Sequence, residues 1–341
     1  MPETSREIRL ARRPEGRPET EDFELAEVPV PDPGEGEALV RNSYLSVDPY
    51  MRGRMRDVKS YMPPFAVGEV MQGGAVGQVV SSNNPDLAEG DWVQSMQGWR
   101  EHYVTDGHGL LPVADPAVAP ISASLGVLGM PGFTAWVGLT QFGRPEEGET
   151  VFVSAAAGAV GSMVGQLAKL RGCRAVGSAG SAEKVALLTS ELGYDAAFDY
   201  KTEDPAQALR ELCPNGIDIY FDNVGGEQLE AAIDRMNVHG RIPLCGAISG
   251  YNEEQPPPGP RNFLALLPKR ISVRGYIITD HYDLFPEFLA EVAPHVAEGE
   301  IRFLETVVDG IENMPGAFLG LLDGQNTGKM LVRVGPDPET T

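Results

Sequence analysis

From Thr150 onward the apolar positions fall into two alternating rhythms. Short unbroken runs (Thr150–Val153, Arg174–Ser178, Ala196–Asp199, Ile217–Asp222 and Arg241–Cys245) are separated by stretches with helical spacing (Ser162–Leu170, Ala182–Leu192, Gln207–Leu212 and Leu229–Met236). Such an alternation predicts βαβ units, and so a doubly wound parallel sheet of the α/β class, a Rossmann domain. The first 125 residues carry a different rhythm. Ile8–Ala11, Phe23–Val28, Ala38–Arg41, Gly77–Val80 and Trp92–Ser95 are short, half-alternating runs bounded by Pro, Gly, Asn and Asp, which predicts antiparallel strands of a barrel. Met314–Val334, with Lys329–Val334 as a strand, is expected to return to that β-rich domain. The expected domains are 1–127 completed by 303–341, and 128–302, with hinges near Leu128–Thr134 and Gly299–Phe303. Active sites of such pairs sit in the cleft between domains.

The first strand of the parallel half runs into Ser154-Ala155-Ala156-Ala157-Gly158-Ala159-Val160-Gly161, a small-residue turn that opens a helix. Gly158 lets backbone approach a pyrophosphate, Gly161 lets the helix pack closely on the strand, and the helix N-terminus offers N–H groups and positive dipole to the anion. Tight helix-on-sheet packing without a ligand also produces Ala-x-x-Gly-x-x-Gly; the βαβ context is what favours a nicotinamide dinucleotide here. An NAD site places an acid at the end of the second strand, to hold the ribose 2′-hydroxyl. That strand ends in Gly177-Ser178-Ala179-Gly180-Ser181 with no acid, and Lys184 follows one turn into the next helix, beside Glu183. Small residues and a cation suit a 2′-phosphate, which points to NADPH; the alternative for Lys184 is an ordinary solvated helix lysine.

Composition narrows the function classes. The 341 residues are enough for two cores, and no stretch approaches the roughly 18 to 20 apolar residues of a membrane span. The N-terminal Met1–Glu7 has no apolar core of a leader, so the cytoplasm is the expected compartment. Cys173, Cys213 and Cys245 are widely spaced and odd in number, which suits buried structural thiols in a reducing compartment. A formal net charge of -22 argues against nucleic-acid and anionic-membrane partners. Gln255–Pro260 is the one biased segment, a stiff proline-rich loop.

Five long, collinear segments then carry a resemblance: Leu45–Met55 (Leu-Ser-Val-Asp-Pro-Tyr-Met-Arg-Gly-Arg-Met), Gly129–Ala135, Ser154–Ser162, Tyr220–Gly226 and Cys245–Asn252. The chain resembles the zinc-independent medium-chain dehydrogenase/reductases over nearly its whole length. Within them it is most similar to the prostaglandin reductase / leukotriene hydroxydehydrogenase branch, which takes in alkenal double-bond reductases and curcumin-reductase-like enzymes. The resemblance implies a GroES-like β-barrel domain beside the Rossmann domain and a homodimer joined at a sheet edge. It implies that Gly158, Ala159, Val160 and Gly161 hold the pyrophosphate of NADPH and that Lys184 and Tyr200 flank its 2′-phosphate, beside Ser178 of the small-residue strand end that leaves room for it. Asn223 and the loop Cys245, Gly246, Ala247, Ile248, Ser249 and Tyr251 would line the nicotinamide and its ribose. Met130, Thr134, Tyr276, Ile277, Ile278 and Asn326 match further cofactor contacts. Where some relatives have a tyrosine shortly after the Tyr276–Ile278 strand, this chain reads Thr279-Asp280-His281-Tyr282.

No metal site is expected. Zinc alcohol dehydrogenases need a Cys, a Gly-His-Glu and a second Cys, plus a run of four cysteines. This chain has no cysteine before Cys173, reads Gly68-Glu69-Val70 at the histidine motif, and spaces its five histidines without paired-ligand pattern. A metal-free enzyme of this kind can send a hydride to the β-carbon of a double bond conjugated to a carbonyl, leaving an enolate that hydroxyl donors stabilise. Tyr251 is the candidate for orienting the ribose hydroxyl toward that enolate, with Tyr50 and Tyr61 lining the cleft for a small alkenal or enone; a turn anchor and a mobile loop aromatic are the alternatives for the last two. Two other functions share these motifs: an NADPH quinone reductase, and an NADPH-binding protein without turnover.

Overall fold

The computed structural model describes residues 4–115, 118–255 and 257–338; residues 1–3 of the N-terminal segment and Pro256 of the proline-rich loop lie outside the described residues. Contacts divide the chain into two units, residues 1–125 with 305–341, and residues 126–304.

The half-alternating runs at the start of the chain become the strands β1 (Thr4–Leu10), β2 (Phe23–Pro29), β3 (Ala38–Ser46), β4 (Ala75–Ser82) and β5 (Trp92–Ser95); the short helix α1 (Met51–Arg54) between β3 and β4, and the strands β6 (His102–Thr105) and β7 (Leu111–Pro112), were not among the expected runs. β1 and β2 pair antiparallel with each other. Phe23 stacks on Trp99 with centroids 5.9 Å apart, and both meet Phe318 edge-on, in a core shared with Leu45, Met51, Met55 and Phe65.

The second unit opens with α2 (Met130–Val137) and then alternates: β8 (Thr150–Val153), α3 (Ala159–Leu170), β9 (Arg174–Ala179), α4 (Ala182–Ser190), β10 (Ala196–Asp199), α5 (Pro205–Leu212), β11 (Ile217–Phe221), α6 (Gly226–Arg235) and β12 (Met236–Leu244). α7 (Leu266–Lys269), β13 (Ser272–Gly275) and α8 (Phe285–Ala297) complete it. Among the described residues the sheet order is β10-β9-β8-β11-β12-β13 and every pairing is parallel. That is the doubly wound order, whose switch point lies where β8 meets β11. Phe152 stacks between Tyr220 (4.9 Å) and Phe198 (6.0 Å) at the centre of its core.

Two expectations shift here. β12 starts at Met236 rather than Arg241, and a register irregularity in its pairing with β11 absorbs the added length. Tyr276–Ile278 is not a strand: β13 ends at Gly275, opposite Leu244, because its partner β12 also ends there, and a 3-10 turn begins at Ile278.

β14 (Glu305–Asp309), α9 (Met314–Leu322) and β15 (Lys329–Arg333) belong to the first unit, where the sheet order is β14-β15-β3-β4-β5-β7 with β6 also pairing β3. β15 lies antiparallel to β3, with Val332 opposite Leu45, while β14 and β15 run parallel. Among the described residues no helix is long and apolar enough to cross a membrane.

Candidate active site

At the end of β8 the chain makes a strained turn. Ala155 takes a left-handed φ of 50°, and its carbonyl accepts the Gly158 N–H at 3.0 Å. A Cβ on Gly161 would stand 2.4 Å from the Ala155 oxygen and 2.8 Å from Ala156 Cα, so only glycine lets α3 start this close to the strand. A Cβ on Gly158 would meet nothing nearer than 3.2 Å. Gly158, Ala159 and Val160 are partly exposed, and no side chain caps α3, whereas Ser181 caps α4 and Asp204 caps α5. An uncapped helix start with exposed backbone is the donor arrangement a pyrophosphate takes.

Beside this turn, Asp222 is the hub of a buried network. Its Oδ1 accepts the Tyr220 hydroxyl (2.7 Å) and the N–H groups of Val224 (2.9 Å) and Gly225 (2.8 Å). Its backbone oxygen accepts from Cys245 (2.9 Å) and Gly246 (3.0 Å). Burial raises the Asp222 carboxyl above the usual carboxylate range, against the pull of those donors. Asn223 is fixed to the turn after β8, its amide donating to the Ser154 carbonyl at 2.8 Å and its N–H to the Ser154 hydroxyl at 2.9 Å. The network therefore gathers Gly158–Gly161, Asn223 and the Cys245–Tyr251 loop around one point. Ile248 donates to the Asn223 oxygen (3.3 Å), and both the N–H and hydroxyl of Ser249 donate to the Val224 oxygen, which folds Ala247 into the same loop. Tyr251 closes it: a Cβ on Gly246 would find the Tyr251 hydroxyl and the Asn223 oxygen each at 3.2 Å.

Three of the expected cofactor contacts have their side chains engaged inside the protein. The Tyr276 hydroxyl donates to the Thr134 carbonyl at 2.9 Å and also bonds the Cys245 thiol, which burial pushes up to about 12. Thr134 donates its own hydroxyl to the Met130 carbonyl at 2.7 Å. These residues buttress the Cys245 loop from α2, and Ile277 and Ile278 follow Tyr276 into the 3-10 turn.

The second corner lies at the end of β9. Ser178 is fully buried and its hydroxyl donates to Gln228 Oε1 at 2.5 Å, so it faces the sheet's interior rather than a ligand. Gly180 instead lets Tyr200 and Lys201 come close to the strand end: a Cβ there would meet the Tyr200 hydroxyl at 3.0 Å and Lys201 Cε at 3.1 Å. Burial, and then the charge of Lys201, hold the Lys184 ammonium below its usual range. Glu183 turns away to the Ser181 hydroxyl and its own N–H, which lowers its pKa. Two lysines thus converge beside an exposed tyrosine with no acid ending the strand. Lys201 went unremarked in the sequence, although it adjoins Tyr200. The uncapped α3, the glycine cradle and this pair of cations together fit a dinucleotide carrying a 2′-phosphate.

Tyr50, Tyr61 and Asn326 belong to the first unit. Tyr50 precedes α1 and is half-buried; Tyr61, in the segment after it, is 56% exposed. Asn326 is buried, its amide donating to the Gly328 carbonyl at 2.7 Å. Among the described residues, no three of His, Cys, Asp or Glu come together to hold a metal ion.

Two family models match the chain, the N-terminal domain of oxidoreductase over residues 6–113 and the zinc-binding dehydrogenase over residues 159–294. An NADPH-dependent curcumin reductase of Escherichia coli (strain K12) is 49% identical over 96% of each chain. A 2-alkenal reductase (NADP(+)-dependent) of Nicotiana tabacum is 45% identical over 97% of this chain and 98% of its own. The crystal structure of CurA in complex with NADPH from Vibrio vulnificus superposes with a TM-score of 0.92 at 47% identity, over 97% of this chain and 99% of that one.

Proposed function

The chain belongs to the medium-chain dehydrogenase/reductase family, and on that premise we propose that it is an NADPH-dependent reductase of the carbon–carbon double bond in α,β-unsaturated aldehydes and ketones. The observation that carries this reading is full-length likeness to reductases named for curcumin and for a 2-alkenal, two compounds that share a double bond conjugated to a carbonyl.

Gly158–Gly161 would hold the pyrophosphate, Lys184, Tyr200 and Lys201 the 2′-phosphate, and Asn223 with the Cys245–Tyr251 loop the nicotinamide and its ribose. Bound NADPH supplies the hydride that adds at the β-carbon. The enolate so formed needs O–H donors held in place, because its charge rests on the former carbonyl oxygen. Tyr251, supported beside Asn223 and Gly246, is assigned to orient the ribose hydroxyl for that purpose, while Tyr50 and Tyr61 touch the substrate. The α-carbon takes its proton from solvent.

The enzyme works as a homodimer in the cytoplasm, where three unpaired cysteines stay reduced. The support for a dimer is the open edge of β13 beside the exposed Phe263, Leu264, Leu267 and Val273.

With NADPH deuterated at the transferred C4 position and an enone, NMR of the product should show deuterium on the β-carbon of a saturated ketone. Deuterium on a carbinol carbon with the double bond intact, or turnover of quinones alone, overturns the proposal.

A further inference from the structure

Arg54 ends α1 and is 6% exposed, an unusual place for a guanidinium. It grips the segment that follows. Its Nε donates to the Pro63 carbonyl at 2.9 Å, its Nη2 to Gln72 Oε1 at 3.0 Å, and its guanidinium lies 4.0 Å from the centre of the Phe65 ring. Its backbone oxygen also accepts the Phe65 N–H at 2.7 Å. Every residue from Asp57 to Gly68 is exposed or half-buried except Phe65, and Val58, Tyr61 and Val67 present apolar surface at 50% exposure or more. The Arg54 side chain therefore holds the segment at Pro63, and at Phe65 it adds a ring contact to a residue that its own backbone bond and burial in the core already anchor. Burial holds the Arg54 guanidinium below its usual range, with Tyr50 and Tyr61 opposing that shift.

We propose that Arg54 is a positioning residue that sets substrate range: by clamping the Tyr61 segment onto α1 it fixes Tyr61 relative to Tyr50 and so favours extended, aryl-bearing enones over short alkenals. This rests on the reading that Tyr50 and Tyr61 touch the substrate. A fixed apolar wall rewards only a substrate long enough to lie against it. A short alkenal spans little beyond the reacting double bond and gains little from the wall, whereas a diaryl enone loses its binding surface when the wall swings. The effect belongs in KM if the wall holds ground state and transition state equally, as uniform binding does; a matching fall in kcat would mean that the contact also orients the reacting bond.

The test compares dibenzylideneacetone with trans-2-pentenal in wild type, Arg54→Met, Arg54→Lys and Gln72→Met. In Arg54→Met, KM for dibenzylideneacetone should rise about tenfold with kcat within about twofold, while KM for pentenal rises less than about threefold. Trypsin should cut after Lys59 faster, Arg54→Lys should recover part of the long-substrate KM, and Gln72→Met, the milder lesion if Arg54→Met fails to fold, should shift the same ratio in the same direction. An equal rise for both substrates, or faster cleavage with both KM values unchanged, overturns the clamp as a specificity device. No NADPH oxidation by the wild type with either compound overturns the double-bond reading itself, and the inference falls with it.

Discussion

Under the proposed function, Lys184 is the residue that chooses between the two nicotinamide dinucleotides. Its ammonium is partly withdrawn from water and faces a second cation at Lys201, two influences that both disfavour its charge until an anion arrives. A 2′-phosphate is such an anion, and a hydroxyl is not. Lys184→Ala should cost about 1 to 3 kcal/mol of the preference for NADPH over NADH, read as the ratio of kcat/KM values. Equal kcat/KM for the two cofactors in the wild type would refute the assignment. Ser178 shows why sequence gave only part of this corner. All of Ala175–Ala179 is buried, since a central parallel strand is covered on both faces. Alternation therefore could not tell which strand-end side chain points to a ligand. Lys184 was legible because it is the first cation after a strand end that carries no acid, and Lys201 was not because it approaches from the neighbouring strand's end.

The helix–strand alternation of the second unit was legible at the scale of elements because each short apolar run and each helical stretch buries its own face. What escaped was set by pairing: β13 stops where β12 stops, and β14 lies parallel to β15, neither of which local periodicity encodes. The dinucleotide turn offers a test of how closely element packing and ligand binding are joined. Gly161→Ala drives a Cβ into the backbone of Ala155 and Ala156, so α3 must lift, and stability should fall by about 1 to 3 kcal/mol. Gly158→Ala meets only one atom at 3.2 Å, but on the proposed reading it adds bulk where backbone must approach the pyrophosphate. It should fold like wild type and lose NADPH affinity. Urea melts and cofactor fluorescence titrations separate the two, and matching urea midpoints for both variants would contradict this division of roles.

Assembly belongs to the whole molecule, and two opposed quantities decide it. Each chain carries a formal charge of -22, which drives copies apart, and each exposes a sheet edge flanked by apolar side chains, which draws them together. The two edges of the second unit's sheet are not equivalent. Along β13 all four residues are exposed, with Val273 at 44% and Phe263, Leu264 and Leu267 at 60% or more beside it, whereas β10 keeps Phe198 buried and the rest half-buried. Pairing two β13 strands would satisfy the open backbone groups and cover those side chains in one contact. Repulsion between acidic copies weakens as the Debye length shrinks from about 30 Å at 0.01 M salt to about 10 Å at 0.1 M. Sedimentation should therefore give twice the 36.6 kDa of one chain at micromolar concentration in 0.1 M salt, with some dissociation when salt is withdrawn. Leu264→Glu with Leu267→Glu should yield a folded monomer, since both side chains are 74% exposed in the single chain and support no core of its own. A wild type that sediments as a monomer at both salt concentrations, or a double variant that remains dimeric, would place the interface elsewhere or remove it.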